Sequence, residues 1–74
     1  MSRIKYIMFD DNSFVIFSSI IVHSDIRTDK VPVSAGFLVA LPCEGGFVCA
    51  GESDSLGLKA REEDTEIINR DLLV

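Results

Sequence analysis

The sequence predicts a small α+β domain, a bent antiparallel sheet of four or five strands closed by one C-terminal helix. Three observations carry that expectation. Apolar runs rich in β-branched and aromatic residues (3–9, 14–22 and 34–41) alternate with clusters of turn formers. Two of those clusters, Asp10-Asp11-Asn12-Ser13 and Glu44-Gly45-Gly46, have the composition of hairpin loops. The last stretch changes in kind, with acids in front and apolar residues at helical spacing behind them. The 74 residues make one domain, 1–74. A chain of this size buries only about 60% of its unfolded surface, so stability is marginal without a supplement. Its 47% apolar content and five Phe make oligomerisation the supplement the composition suggests.

Residues 3–9 hold Ile, Tyr and Phe with no Gly or Pro, and read as the first strand. The Asp-Asp-Asn-Ser cluster turns the chain into a second strand at 14–22, giving a β-hairpin. Side chains alternate across a strand, so Ile4, Tyr6 and Met8 share one face while Lys5, Ile7 and Phe9 share the other. In the second strand Phe14, Ile16, Ser18, Ile20 and Val22 face one way and Val15, Phe17, Ser19 and Ile21 the other. Both faces are largely apolar, unlike a sheet with one wet side. A domain this small has little material for two covers, so one face is expected to wait for a partner. Ile7, Phe9, Val15, Phe17 and Ile21 are the candidate partner-binding residues on that ground. Residues 23–33 are polar, contain Pro32 and read as a loop. The run 34–41 is a strand stopped by Pro42, and Glu44-Gly45-Gly46 turns it into Phe47-Val48-Cys49-Ala50. Residues 51–55 bend again, and Leu56-Gly57-Leu58 could be a short fifth strand.

From Arg61 onward the acids sit where they complement the positive end of a helix dipole. Ile67, Ile68, Leu72 and Leu73 form a narrow apolar stripe, and Glu66 stands four residues before Arg70 in the favourable order. A helix of two to three turns docked on the sheet is expected.

Several chemistries can be weighed from spacing. MFDDNSFV (8–15) resembles the FDxDGT start of haloacid-dehalogenase-type enzymes, whose first aspartate is the nucleophile. Here Asn12 stands where the second aspartate belongs, and no Gly precedes Ser13. Such enzymes also need a large α/β domain, so Asp10 reads as a turn residue. His23-Ser24-Asp25 sets triad-type residues side by side, yet a triad needs a fold to converge its members. His23, the only histidine, remains the side chain with a charge change near neutral pH. A small-molecule or metal site would combine it with Asp25, Cys43 or Cys49. The cysteine spacing exceeds that of a zinc knuckle, and both thiols read as small apolar side chains. Gly51 to Gly57 lacks the GK[ST] ending of a phosphate loop and carries Glu52 and Asp54, which repel phosphate. No cofactor is expected.

A formal charge of −5 disfavours direct binding to nucleic acid or anionic membranes and permits docking on a basic partner. No apolar run approaches the roughly 18 residues of a membrane helix, and the run at 14–22 follows two aspartates rather than a basic segment. A cytoplasmic, reducing setting with free thiols is the expectation. Glu62, Glu63, Asp64 and Glu66 read as a solvated helix start, or as an acidic docking face with fast association.

The segments HSD, VSAGF, VCAGES-x-SLGL and R-x-EDTEII together resemble short proteins carried by proteobacteria and their prophages. That group implies no catalytic residue. KYIMFDDNSFVIFSS separately resembles the hairpin of an acidic phage-encoded anti-CRISPR inhibitor of type I-F complexes. The combined expectation is a non-catalytic protein-interaction module, homodimeric, of the prophage accessory or inhibitor kind. The alternatives are the His23 ligand site and an acidic nucleic-acid mimic built from residues 62–66 with the Asp10-Asp11 turn.

Overall fold

The computed structural model describes residues 4–26, 28–41 and 46–72. The strands are β1 (Ile4–Phe9), β2 (Phe14–Ser18), β3 (Pro32–Ala40), β4 (Phe47–Ala50), β5 (Glu52–Ser53) and β6 (Leu58–Lys59), followed by the helix α1 (Glu62–Leu72). A 3-10 turn, His23–Asp25, lies between β2 and β3. The α+β expectation holds: β2-β1-β3-β4 form one antiparallel sheet and β5-β6 a second, two-stranded one.

The β1–β2 hairpin closes as the turn formers predict. Asn12 N–H donates to Phe9 C=O (3.0 Å) and Phe9 N–H to Ser13 C=O (2.9 Å). Asn12 takes the left-handed conformation (φ 65°), so the loop is a three-residue turn ending in a bulge. Asp11 accepts from the Ser13 backbone N–H and hydroxyl, the local bonding that suits Asp to turns. Asp10 is an exposed turn residue.

The second strand is shorter than expected. It ends at Ser18 because Ser18 C=O accepts the Ile21 N–H (3.0 Å) and its hydroxyl the Ile20 N–H (3.4 Å). The β-branched run Ile20-Ile21-Val22 therefore lies in an exposed bend. Strand β3 starts at Pro32, inside the expected loop, and β5 and β6 flank a turn through Leu56 and Gly57 rather than including them. The Glu44-Gly45 part of the β3–β4 turn and Leu73 lie outside the described residues.

Both faces of β1 are sheltered by this one chain, and this overturns the expectation that a partner covers one of them. Tyr6, Met8, Leu38 and, from α1, Ile68 form one buried cluster, with Phe14, Phe47, Cys49 and Ile67 packed at its margin. On the other side Ile7, Phe9 and Ala35 are buried under Ile26, Leu56 and Leu58, with Phe17 alongside. The second cover is the segment after the 3-10 turn together with the β5–β6 hairpin. Only Gly fits at position 36 of β3, since a Cβ there would lie 2.6 Å from Ala50 O and 3.3 Å from Ala60 Cβ.

Candidate protein-interaction surface

The two edges of the main sheet are treated differently by the chain. Backbone groups alternate in an antiparallel pair, so the bonded pairs Phe9–Ser13 and Leu41–Gly46 fix which groups point outward. On β4 the outward residues are Phe47 and Cys49, and α1 covers both. Cys49 N–H donates to Thr65 Oγ1 (2.9 Å), and Phe47 N–H to Asn69 Oδ1 (2.8 Å). Asn69 Nδ2 donates back to Phe47 C=O (2.7 Å). Thr65 and Asn69 are four apart, so one helix stripe occupies the edge.

On β2 the same alternation, carried from Phe9–Ser13 through the register Ile7↔Val15 and Lys5↔Phe17, points the N–H and C=O of Phe14, Ile16 and Ser18 away from β1. Ser18 C=O is taken by Ile21. Among the described residues nothing lies hydrogen-bonded to the outward groups of Phe14 and Ile16. The strand carries no charge, Pro or bulge, the usual protections of an edge. Ile16 is 44% exposed and Val15 37%, and Ile4, Ile20, Ile21 and Val22 extend the apolar rim around them.

The candidate partner residues thus separate. Val15 and Ile21 are exposed, Phe17 is half-buried, and Ile7 and Phe9, each 2% exposed, are core residues that no partner reaches. Alternation along a strand identifies a face without identifying what covers it.

His23 points inward. Its Nε2 lies 3.1 Å from Gly36 C=O, and its ring meets those of Phe17 and Phe37 edge-on, at 5.3 and 6.0 Å between centroids. Burial pushes its pKa down; the Gly36 carbonyl opposes that and the nearby Lys5 ammonium adds to it. A groove of about 260 Å³ opens between His23, Phe37, Lys5 and the β5–β6 turn. Asp25 is exposed and does not line it. Cys49 pairs with Leu38 on the helix side, whereas His23 packs on Phe17 and Phe37 across the sheet. The expected convergence of His23 with Asp25 or Cys49 does not occur, and Cys43 lies outside the described residues. Among the described residues no three His, Cys, Asp or Glu side chains gather as metal ligands. Cys49 is a half-buried free thiol whose pKa burial raises.

The acidic run is not one surface. Glu62, Glu63 and Glu66 are exposed, but Asp64 is fully buried. Its carboxylate accepts from Tyr6 OH (2.6 Å), from Arg61 N–H (3.0 Å), and from Arg61 Nε and Nη2 (3.1 and 2.9 Å). The bond to Arg61 N–H is the return half of a capping box, made by the third residue of the helix. Burial alone would raise the Asp64 pKa; Ser34, Tyr6 and Arg61 outweigh it and hold the carboxyl below its usual range. The Ser34 hydroxyl lies close enough to contribute, though short of hydrogen-bond geometry. Tyr6 is shifted the opposite way, its phenol pushed up first by burial and then by the bond to Asp64. In the hairpin turn Asp11 is paired with Lys30 at 3.1 Å. A nucleic-acid mimic needs its carboxylates aligned and free, and Asp64 is neither.

No family model, curated protein or solved structure matches the chain. No helix among the described residues is long and apolar enough to cross a membrane.

Proposed function

We propose that this chain is a protein-interaction module that docks by accepting an added strand on β2. The observation that carries the reading is the contrast between the edges: α1 closes β4 with side-chain hydrogen bonds, while β2 presents open backbone groups beside exposed aliphatic side chains. In strand addition the main-chain bonds supply affinity and alternate side chains supply selectivity.

The test uses Ile16→Pro. Proline removes the outward Ile16 N–H and leaves the ladder to β1 intact, and it is tolerated on edge strands. Affinity capture with wild type and Ile16→Pro in parallel is expected to lose its specific partner from the proline bait. A partner set identical on both baits would overturn the proposal.

A further inference from the structure

We infer that the strand added to β2 is the β2 of a second copy, paired antiparallel about a two-fold axis through Ile16. The inference rests on strand addition and names its occupant. Ile16 is the middle residue of Phe14–Ser18, and its N–H and C=O are the central open pair. Two-fold pairing there lets each Ile16 exchange both bonds with its counterpart and sets Phe14 opposite Ser18 of the other copy. Val15 then faces Phe17 on one side of the seam, and Ile16 meets Ile16 on the other, so the exposed aliphatic groups are covered by their own kind.

Charge favours the antiparallel sense. The hairpin turn, where exposed Asp10 adds one negative charge to the Asp11–Lys30 pair, lies at the Phe14 end of β2, and Lys5, whose Nζ reaches Ile21 C=O (2.8 Å), lies at the Ser18 end. Antiparallel pairing sets the acidic end of one copy beside the lysine end of the other. A parallel arrangement would bring the two acidic turns together. The covered edge sets the number of copies. With β4 closed by Thr65 and Asn69, the main sheet of each copy offers one open edge among the described residues, and an isologous contact between two such edges closes at two.

The experiment is sedimentation equilibrium of the full chain from micromolar to near-millimolar concentration, with amide hydrogen exchange followed at Phe14 and Ile16. Wild type is expected to double in mass with concentration while both amides slow. Ile16→Pro is expected to keep a single-chain mass, and so is Ile16→Lys, which places a charge on the edge without altering the backbone. Both variants should retain the wild-type circular dichroism. A wild type that keeps a single-chain mass throughout, while a captured partner slows the Ile16 amide and is lost from the proline bait, would overturn the dimer and leave strand addition standing. A doubling that survives both variants with a freely exchanging Ile16 amide would overturn both.

Discussion

Replacing Asp64 by Asn tests how β1 and α1 are held together. Four donors converge on this carboxylate: the Tyr6 phenol, the Arg61 backbone N–H and two Arg61 guanidinium N–H groups. An asparagine has nearly the same shape but accepts through one oxygen, and its NH₂ must then face donors that it repels. Hydrogen bonds to charged groups contribute about 1.5–3 kcal/mol each, and breaking a fully buried ion pair costs about 3–5 kcal/mol. Arg61 keeps about a third of its side chain in water (33%), which screens the guanidinium part. The expected loss is therefore about 2–4 kcal/mol. At ~0.05–0.15 kcal/mol per residue a chain of this length has about 4–11 kcal/mol in all, so the change is a large fraction of the total. It corresponds to a fall in Tm of at least ~8 °C. Urea unfolding at neutral pH measures it directly.

Acid titration supplies the second arm of that test. The folded Asp64 pKa lies below the ordinary value of 3.8, so the folded chain binds fewer protons than the unfolded one as the pH falls. The stability from Asp64 is complete above the unfolded pKa and is lost as the pH drops through the folded one. Asp64→Asn should lack that part of the acid slope. Asp11, lowered to about 2 mainly by the Ser13 hydroxyl, its backbone N–H and Lys30, adds to the same slope and is separated by Asp11→Asn. An Asp64→Asn protein within ~0.5 kcal/mol of wild type, the size of an ordinary surface change, and with an unaltered acid slope would refute the role given to this carboxylate.

Three further outcomes are expected. His23 has a folded pKa below its ordinary value because it is buried, so wild-type stability should fall as the pH drops below about 6.5; His23→Phe should flatten that fall in urea titrations between pH 5 and 7. Gly36→Ala forces a Cβ against Ala50 O, and the overpacking should cost about 1–3 kcal/mol by chemical denaturation. Asn69→Ala strips Phe47 of partners for its N–H and C=O, and should cost about 1–2 kcal/mol while the Phe47 amide exchanges faster.

The hairpin, its turn and the helix were legible because each is specified locally. Asp11 accepts from the Ser13 backbone within the turn, and the acids of α1 sit where the dipole wants them. What was not legible depends on distant contacts. The burial of Ile7 and Phe9 rests on Ile26, just after a 3-10 turn, and on Leu56 and Leu58, in and beside the turn between two-residue strands, all with almost no sequence signal. Asp64 looks like its acidic neighbours, and what sets it apart is a tyrosine 58 residues earlier. The end of β2 was missed because Ile20-Ile21-Val22 favours a strand by propensity, whereas Ser18 stops it with two bonds of its own. The open edge could have been suspected, since 14–18 lacks any charged residue, but which strand lies outermost is a matter of topology.

The helix that seals β4 follows every strand in chain order. Until it docks, the sheet has two free borders and can grow in both directions. Fraying of α1, from a lost contact at Tyr6 or Asn69 or from acid, would return the molecule to that state. If β2 pairs with a second copy as proposed, the same helix that steadies the core also keeps that pairing from propagating, and conditions that loosen it should reveal themselves as polymerisation before global unfolding.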